Sequence, residues 1–338
     1  MEKIFENIKK SNLTNDQKEL LIEYSINLNK GNLPIIFDVE QIKLLFGIET
    51  PIDEFMKEST SFHTIKKYNG DLREIYVPND HLKEIQRWIV DEILYKCKVS
   101  NYTCSYVKNK SILNHAKTHI HLIDSWLITY DIVDFFPSIK KESIENIFFN
   151  IGYNREVARA LALLCSIEGE LAQGFPTSPV LSNIYFENID NVIATFCLEN
   201  NMKYSRYADD LAFSGEGFEI PEKLKEELNS FLKSILIKSG LIINQKKTKV
   251  FTNNQVKKLT GILIINNELK IPSKVKRFLS KEIYYCKKYG VEDHLIKTER
   301  INLANYKGYL YGIAGYIRMV EPKIGQQFFE DLSAIYWG

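Results

Sequence analysis

Apolar positions along the chain switch between two periods, and the switches mark out its elements. Over residues 15–60 they recur at spacings of three and four, most clearly in FDVEQIKLLFGI, which predicts helices with Asp38 placed to cap one of them. In FHTIKKYNGDLREIYVP (62–78) two aromatic or β-branched runs flank Asn69-Gly70-Asp71, which predicts a β-hairpin. DHLKEIQRWIVDEILYKC returns to the helical period, and SWLITYDIVDFF contains a strand ending near Asp131. Helices are predicted over about 139–168 and 178–199, then a hairpin over 203–214 and a helix over 221–238. GLIIN and TKVF read as strands, KLTGILII with ELKIP as another hairpin, and everything from Ser273 onward as helical. The order strand, helices, hairpin, helix, strand predicts an α+β fold, an antiparallel sheet with helices on one face. In such a sheet the end of the first strand, Asp131, can lie beside the hairpin tip, where Asp209 and Asp210 stand together.

Composition narrows the class. At 338 residues, 45% hydrophobic and 26% charged, the chain suits one large core or two to three sub-domains of a soluble protein. No apolar run approaches the roughly 20 residues of a membrane span, and MEKIFENIKK lacks the apolar region of a signal peptide. The five cysteines (97, 104, 165, 197 and 286) are scattered and never in a C-x-x-C pair, which fits free thiols and neither a disulfide frame nor a zinc site. A cytoplasmic protein without a membrane partner is expected. The net charge of +1 hides an asymmetry: residues 241–300 carry +9 and the remainder −8. A basic block of this kind suits a phosphate-bearing partner, although solvated lysine faces would give the same count.

The adjacent carboxylates Asp209 and Asp210 each raise the cost of ionising the other. Aspartate is an ordinary turn residue, so the pair alone decides little. With Asp131 converging on them the set acquires a chemistry, because divalent cations lodged among three carboxylates remove the like-charge cost. Two Mg²⁺ ions about 3.5–4 Å apart can then clamp the attacking and leaving oxygens of a phosphoryl transfer.

Further segments follow in a telling order: LREIYVP (72–78), YDIVDFFPSI (130–139), AQGFPTSPVLSNI (172–184), YADD (207–210), NQKKTK (244–249) and KLTGILI (258–264). Over roughly residues 60–265 this succession resembles the motifs of the reverse transcriptases, specifically the bacterial retron type. The resemblance implies a right-hand polymerase. Residues 1–60 would be an N-terminal helical extension and 61–125 the fingers, with 140–175 contributing. Residues 126–265 would be a palm with a ferredoxin-like core, and 266–338 a short helical thumb. It further implies that Asp131, Asp209 and Asp210 hold two Mg²⁺ ions and that Lys247 stabilises or protonates the departing pyrophosphate. Arg73 would meet the triphosphate, and Gln173 and Gly174 would let backbone and amide approach the incoming nucleotide. Phe136 would be the ring that leaves no room for a 2′-hydroxyl. Each also has a plain alternative: a solvated lysine, a loop before a helix, a core phenylalanine. Asp134 is expected to support its loop and not to bind metal.

Retron enzymes carry N-A-x-x-H and V-T-G. Here SILNHAKTHI (111–120) has Ala116 and His119 in place but Asn114 one position early, and the later hairpin has Leu259-Thr260-Gly261. These departures leave open another bacterial defence-associated or group II intron-like class. His119 reads either as an RNA contact or as a structural histidine. About 70 residues follow the second hairpin, enough for a thumb but not for a maturase extension, an endonuclease or a ribonuclease H domain. The resemblance therefore assigns removal of template RNA to a host ribonuclease H. SKVKRFLSKEIYYCKKYG (273–290) would open the thumb, with Lys274, Lys276 and Arg277 on an RNA backbone and Phe278, Tyr284 and Tyr285 available for stacking. The implied function is an RNA-directed DNA polymerase that uses deoxynucleoside triphosphates to copy part of a cognate structured non-coding RNA into a DNA product. It would prime from a 2′-hydroxyl of that RNA and serve antiphage defence, with a separate effector protein. An RNA-dependent RNA polymerase or a nucleotide cyclase on a similar palm is disfavoured by Phe136, Gln173-Gly174 and Tyr207-Ala208. A non-catalytic RNA-binding scaffold is disfavoured by the intact aspartates.

Overall fold

The computed structural model describes residues 1–66, 72–300 and 305–337; the expected Asn69-Gly70-Asp71 turn lies outside them. Helices α1 (Glu2–Lys10), α2 (Asn15–Lys30), α3 (Val39–Phe46) and α4 (Ile52–Glu58) lead into strands β1 (Thr60–Lys66) and β2 (Leu72–Pro78). Helices α5 (Asp80–Glu92) and α6 (Ile112–Thr118) precede β3 (Ser125–Asp131). Next come α7 (Lys141–Ile151), α8 (Arg155–Leu164), the short ladder β4 (Ser166–Ile167) and β5 (Glu170–Leu171), α9 (Ser178–Tyr185) and α10 (Glu187–Glu199). The hairpin β6 (Lys203–Tyr207) and β7 (Asp210–Glu216), α11 (Glu222–Lys238) and strands β8 (Lys249–Phe251), β9 (Lys257–Leu259), β10 (Ile262–Ile265) and β11 (Glu268–Lys270) follow. Helices α12 (Ser273–Tyr289), α13 (Val291–Lys297), α14 (Tyr306–Val320) and α15 (Pro322–Ser333) end the chain. Among the described residues no helix is long and apolar enough to cross a membrane.

Two expected elements differ. The helix predicted over 178–199 is two, divided at Phe186, whose ring is fully buried. GLIIN does not form a strand: Ile243 makes one isolated bridge to Ile132 and Ile242 accepts from Val133. The 3₁₀ turn Gln245–Lys247 begins two residues later and leaves no length for a ladder.

The chain divides into two compact units, each discontinuous in sequence. The first comprises residues 1–106, 132–193 and 229–244. Its core gathers Leu28, Leu82, Phe148, Leu161, Phe175 and Leu181, all at or below 2% exposure. Asp38 caps α3 as its sequence position suggests, accepting from the Gln41 amide at 2.8 Å. Strands β1 and β2 pair antiparallel from Thr60↔Pro78 to Lys66↔Leu72.

The second unit comprises residues 107–131, 194–228 and 245–338. Its main sheet has the order β6-β7-β3-β8, every neighbour antiparallel. The two-residue period sends Tyr204, Leu211, Phe213, Trp126, Ile128 and Tyr130 to one face, where all are buried. Tyr204 stacks on Phe213 at 5.0 Å between ring centroids. Trp126 lies across Gly215, where a Cβ would come within 2.5 Å of the indole, so only glycine fits beneath it. The other face carries Ser205, Tyr207, Asp210, Ala212, Ser214, Leu127 and Asp131. There Leu127 and Ala212 pack with Leu259 and Phe251.

The C-terminal helices close around a buried carboxylate. Glu282 of α12 is 3% exposed and accepts from His294 at 2.9 Å, from Arg300 at 3.0 Å through both oxygens, and from the Tyr306 hydroxyl. One side chain thus joins α12, α13 and α14. Burial pushes this carboxyl up, but the bonds from Tyr306, His294 and Arg300 outweigh it and hold the carboxyl below its ordinary value of 4.5. Its contribution to stability is therefore complete above about pH 4.5 and fades as the pH falls through the lower native value. Glu282→Gln leaves Arg300 without its counter-charge and should lower unfolding stability by about 3 kcal/mol or more at pH 7. Thermal unfolding of both proteins from pH 3 to 7 measures this; a variant as stable as the wild type would refute the role.

Candidate active site

β3 delivers Asp131 at its C-terminal end, directly across from Asp210, the first residue of β7. β6 brings Tyr207 opposite the same residue. Between them Ala208 takes φ +53°, a left-handed conformation unusual for alanine. The fully buried guanidinium of Arg206 donates to the Ala208 carbonyl at 3.2 Å and braces the turn from within. An arginine at the position that the two-residue alternation from Tyr204 sends to the buried face was the available signal for this support, and sequence reasoning passed over it.

Asp131 is 9% exposed, and Asp209 and Asp210 are half-buried. Burial first, and then the charges of Asp209 and Asp131, push the Asp210 carboxyl up to about 7. The Lys247 ammonium stands 2.9 Å from each oxygen of Asp131. That bond raises the lysine's pKa, so it remains a cation while lying against the acid cluster. Among the described residues no three His, Cys, Asp or Glu side chains form a ready-made metal cage. The donor set nonetheless fits a hard divalent cation: it offers carboxylate oxygens, one of them short of positive charge, and a lysine already sits where a cation would. Such an arrangement can bind divalent ions and phosphate oxygens together.

Arg73, Phe136, Gln173 and Gly174 belong to the first unit. Arg73 is exposed on β2. Three residues further along the strand, the Tyr76 amide donates to the Gln173 carbonyl at 2.8 Å. Gly174 has φ +117°, and a Cβ there would fall 2.2 Å from the Tyr76 carbonyl oxygen. Glycine is thus required for the loop to lie flat on β2, a constraint that stands beside the nucleotide approach expected of it. Phe135 takes the core position at 5% exposure, against Phe186, while Phe136 is half-buried beside Tyr106 at 6.4 Å. Asp134 is exposed and its backbone carbonyl accepts from the Ser138 amide at 2.8 Å.

His119 is 1% exposed, which leaves its ring no face for RNA. Its Nε2 lies 2.9 Å from the Ser205 hydroxyl and its Nδ1 2.7 Å from that of Ser214. The ring thereby brackets both arms of the aspartate hairpin, four residues to either side of the acid pair. His115 reaches Ser205 at 2.7 Å and His121 reaches Ser214 at 2.8 Å, which makes an alternating chain of three imidazoles and two hydroxyls. Sequence reasoning missed all but His119, although Ser205 and Ser214 sit on the face that the alternation assigns to Asp210.

On α12, Lys274 and Arg277 are exposed, but Lys276 is held 3.0 Å from both oxygens of Glu321 and serves the packing of the helices. Tyr284 and Tyr289 remain exposed, with Lys288 over both rings at 5.4 and 5.1 Å and Lys297 over Tyr289 at 4.7 Å. Phe278 packs against the helical core and Tyr309.

The histidine chain makes the hairpin acid-sensitive. Burial, and then Arg206, pushes His115 down to about 3; burial holds His119 well below 6.5 and lowers His121 to about 4. The unfolded chain takes up protons below pH 6.5 while the native rings refuse them, so stability falls as the pH drops through 6.5. The loss is at most about 1.4 kcal/mol per pH unit for each buried ring. His119→Gln can still bridge two hydroxyls but cannot be protonated, and should flatten this slope. Urea unfolding at pH 7.5 and 5.5 tests it, and equal slopes would remove the claim.

Residues 65–281 match the family described as reverse transcriptase (RNA-dependent DNA polymerase). The chain is 31% identical to the retron Ec86 reverse transcriptase of Escherichia coli over 237 residues, covering 69% of this chain and 72% of that protein. It is 28% identical to the retron Ec83 reverse transcriptase of Escherichia coli over 293 residues, covering 80% and 88%. Among solved structures, apo telomerase from Candida tropicalis aligns with a TM-score of 0.50 at 12% identity, over 81% of this chain and 58% of that one. At that identity the likeness is one of fold alone.

Proposed function

From the premise that the chain belongs to the reverse transcriptases, and among them to the retron type, we propose that it copies part of a cognate structured non-coding RNA into DNA, primed from a 2′-hydroxyl of that RNA. It is an RNA-directed DNA polymerase with the right-hand fold of that family, whose members use an RNA template, deoxynucleoside triphosphates and, in general, divalent metal ions. The departures at Asn114 and Leu259 are then variation within the retron type.

The observation that carries the reading of the site is the Asp131–Asp210 register with Lys247 drawn onto Asp131. Asp131, Asp209 and Asp210 would hold two Mg²⁺ ions. Bound there, such ions supply charge to the attacking and leaving oxygens of a phosphoryl transfer. The primer hydroxyl gives up its proton to solvent as its oxygen bonds the α-phosphorus, the bond to pyrophosphate breaks, and one nucleotide is added. Lys247, released from Asp131, offers its ammonium to the departing pyrophosphate. Arg73 pairs with the triphosphate, Gln173 lies along the incoming nucleotide, and Phe136 closes the space that a 2′-hydroxyl would need. Lys274 and Arg277 contact the RNA backbone. With host ribonuclease H removing template RNA and a separate effector protein, the enzyme serves antiphage defence in the cytoplasm.

Replacing Asp209 and Asp210 together by Ala should cut DNA synthesis on a primed RNA template about 10³-fold or more, ~4 kcal/mol in the barrier. The fold should survive, and in metal-free buffer melting should rise, because the substitution removes mutual repulsion. Primer extension beside thermal unfolding reads both, and near wild-type synthesis would sink the assignment.

Phe136→Ala should admit ribonucleotides. The ratio of deoxy- to ribonucleotide incorporation should fall by a factor on the order of tens, about 2 kcal/mol at ~1.4 per decade. An unchanged ratio would make Phe136 a packing residue.

A further inference from the structure

The second unit contains a cavity of about 520 Å³ beside β9, β10 and the turn that follows, bounded by residues 122–124, 253–257 and 264–267. A volume of this size is in the range of small-ligand sites. We propose that it receives a single RNA nucleotide turned out of its strand, with Lys257 taking the phosphate and carboxamides taking the edge of the base. This rests on the reading of the chain as an RNA-copying enzyme and adds a contact outside its active site.

Four observations support the assignment. Lys257 lines the cavity and is 7% exposed, yet among the described residues its ammonium has no hydrogen-bond or ion-pair partner. A lysine that merely laid its stem on apolar surface would keep its head in open water. Here burial lowers the ammonium pKa, with Asp124 partly restoring it, so the charge is held partly desolvated. Second, the exposed Asn254, Asn266 and Asn267 also line the cavity, and their carboxamides make no hydrogen bond within the described residues, which leaves them open to a ligand. Asn266 and Asn267 take φ +48° and +62° as the two-residue turn between β10 and β11, which explains why they are asparagines but leaves their amide groups unused. Third, Asp124 accepts from Asn253 at 2.8 Å through one oxygen, which leaves the other for an N–H of a base. Fourth, Leu122 is 93% exposed and Ile123 57%, so the rim offers apolar surface for the flat face of a base.

The mixture selects the ligand class. Inorganic phosphate can meet Lys257 but carries no base edge for the carboxamides and Asp124. A nucleotide brings one phosphate for Lys257 together with both donors and acceptors for the carboxamides and Asp124. Sequence-specific reading of RNA commonly depends on such splayed-out bases.

Two substitutions test this without damaging the fold. Lys257→Met keeps the stem and removes a desolvated charge, so its melting temperature should stay level or rise. Asn267→Gly keeps the positive φ and removes one carboxamide, and it should also melt no lower. Each variant should bind a single-stranded RNA tetranucleotide about tenfold more weakly, by calorimetry in EDTA. In the wild type, a mixture of the four ribonucleoside 5′-monophosphates should compete, whereas equal inorganic phosphate should not. Unchanged tetranucleotide binding in both variants would overturn the proposal. So would phosphate or an acidic peptide competing as well as the nucleotides, or a fall in melting temperature that accounts for the lost binding. Extension of a saturating primed RNA template by both variants at wild-type rate is expected. If the wild type itself makes no DNA, the reading of the enzyme fails, and the binding comparison still decides the cavity.

Discussion

Repulsion among three carboxylates is the constraint around which the second unit is organised. Asp131 and Asp210 are forced to face each other by the β3–β7 register, and Asp209 adjoins them in the turn. Left to itself, such a cluster would lower its energy by spreading apart or by taking up a proton; the pKa of Asp210, raised by burial first and by the charges of Asp209 and Asp131 after it, favours the second. Backbone pairing prevents the first. The stored unfavourable charge then becomes affinity for cations, and Lys247 on Asp131 is the cation the chain itself provides.

Holding like charges together demands support from behind, and the support is polar as well as apolar. Arg206 braces the Ala208 turn from within, the Tyr204–Phe213 stack stiffens one face, and His119 ties the two arms together on the other. In the C-terminal helices the same logic recurs with the sign reversed: one buried carboxylate, Glu282, is surrounded by donors from three elements. Both devices use charge to fix relative position, and both tie their stability to pH.

Much of this was legible in the sequence because it is local. The Asp38 cap, the alternation through 203–216, and the adjacency of the Asp131 strand to the aspartate hairpin all follow from short-range pattern and strand order. The choice between Phe135 and Phe136 was not legible, since neighbouring residues on an irregular segment share one pattern and only packing separates them. The Lys276–Glu321 pair spans 45 residues and the His119–Ser214 bond 95, so neither leaves a periodic trace. GLIIN carries a strand's composition but lacks room for a ladder. The packing of Gly174 on the Tyr76 carbonyl was not legible either, because it joins segments far apart in the chain.

The alternating imidazoles and hydroxyls also impose a direction. A neutral imidazole has one N–H and a serine one O–H, so each member can donate only once along the chain, and each contact needs one donor and one acceptor. If the His115 Nδ1–H donates to Ser205, then Ser205 must donate to His119, His119 to Ser214, and Ser214 to His121. Among the described residues the buried Nε2 of His115 has no partner, and an unmet lone pair is better tolerated there than an unmet N–H, which favours this sense of travel. The tautomers of the three rings are therefore chosen together. Removing the hydroxyl at one serine changes the proton inventory of rings it never touches, so the five side chains behave as a single chemical unit.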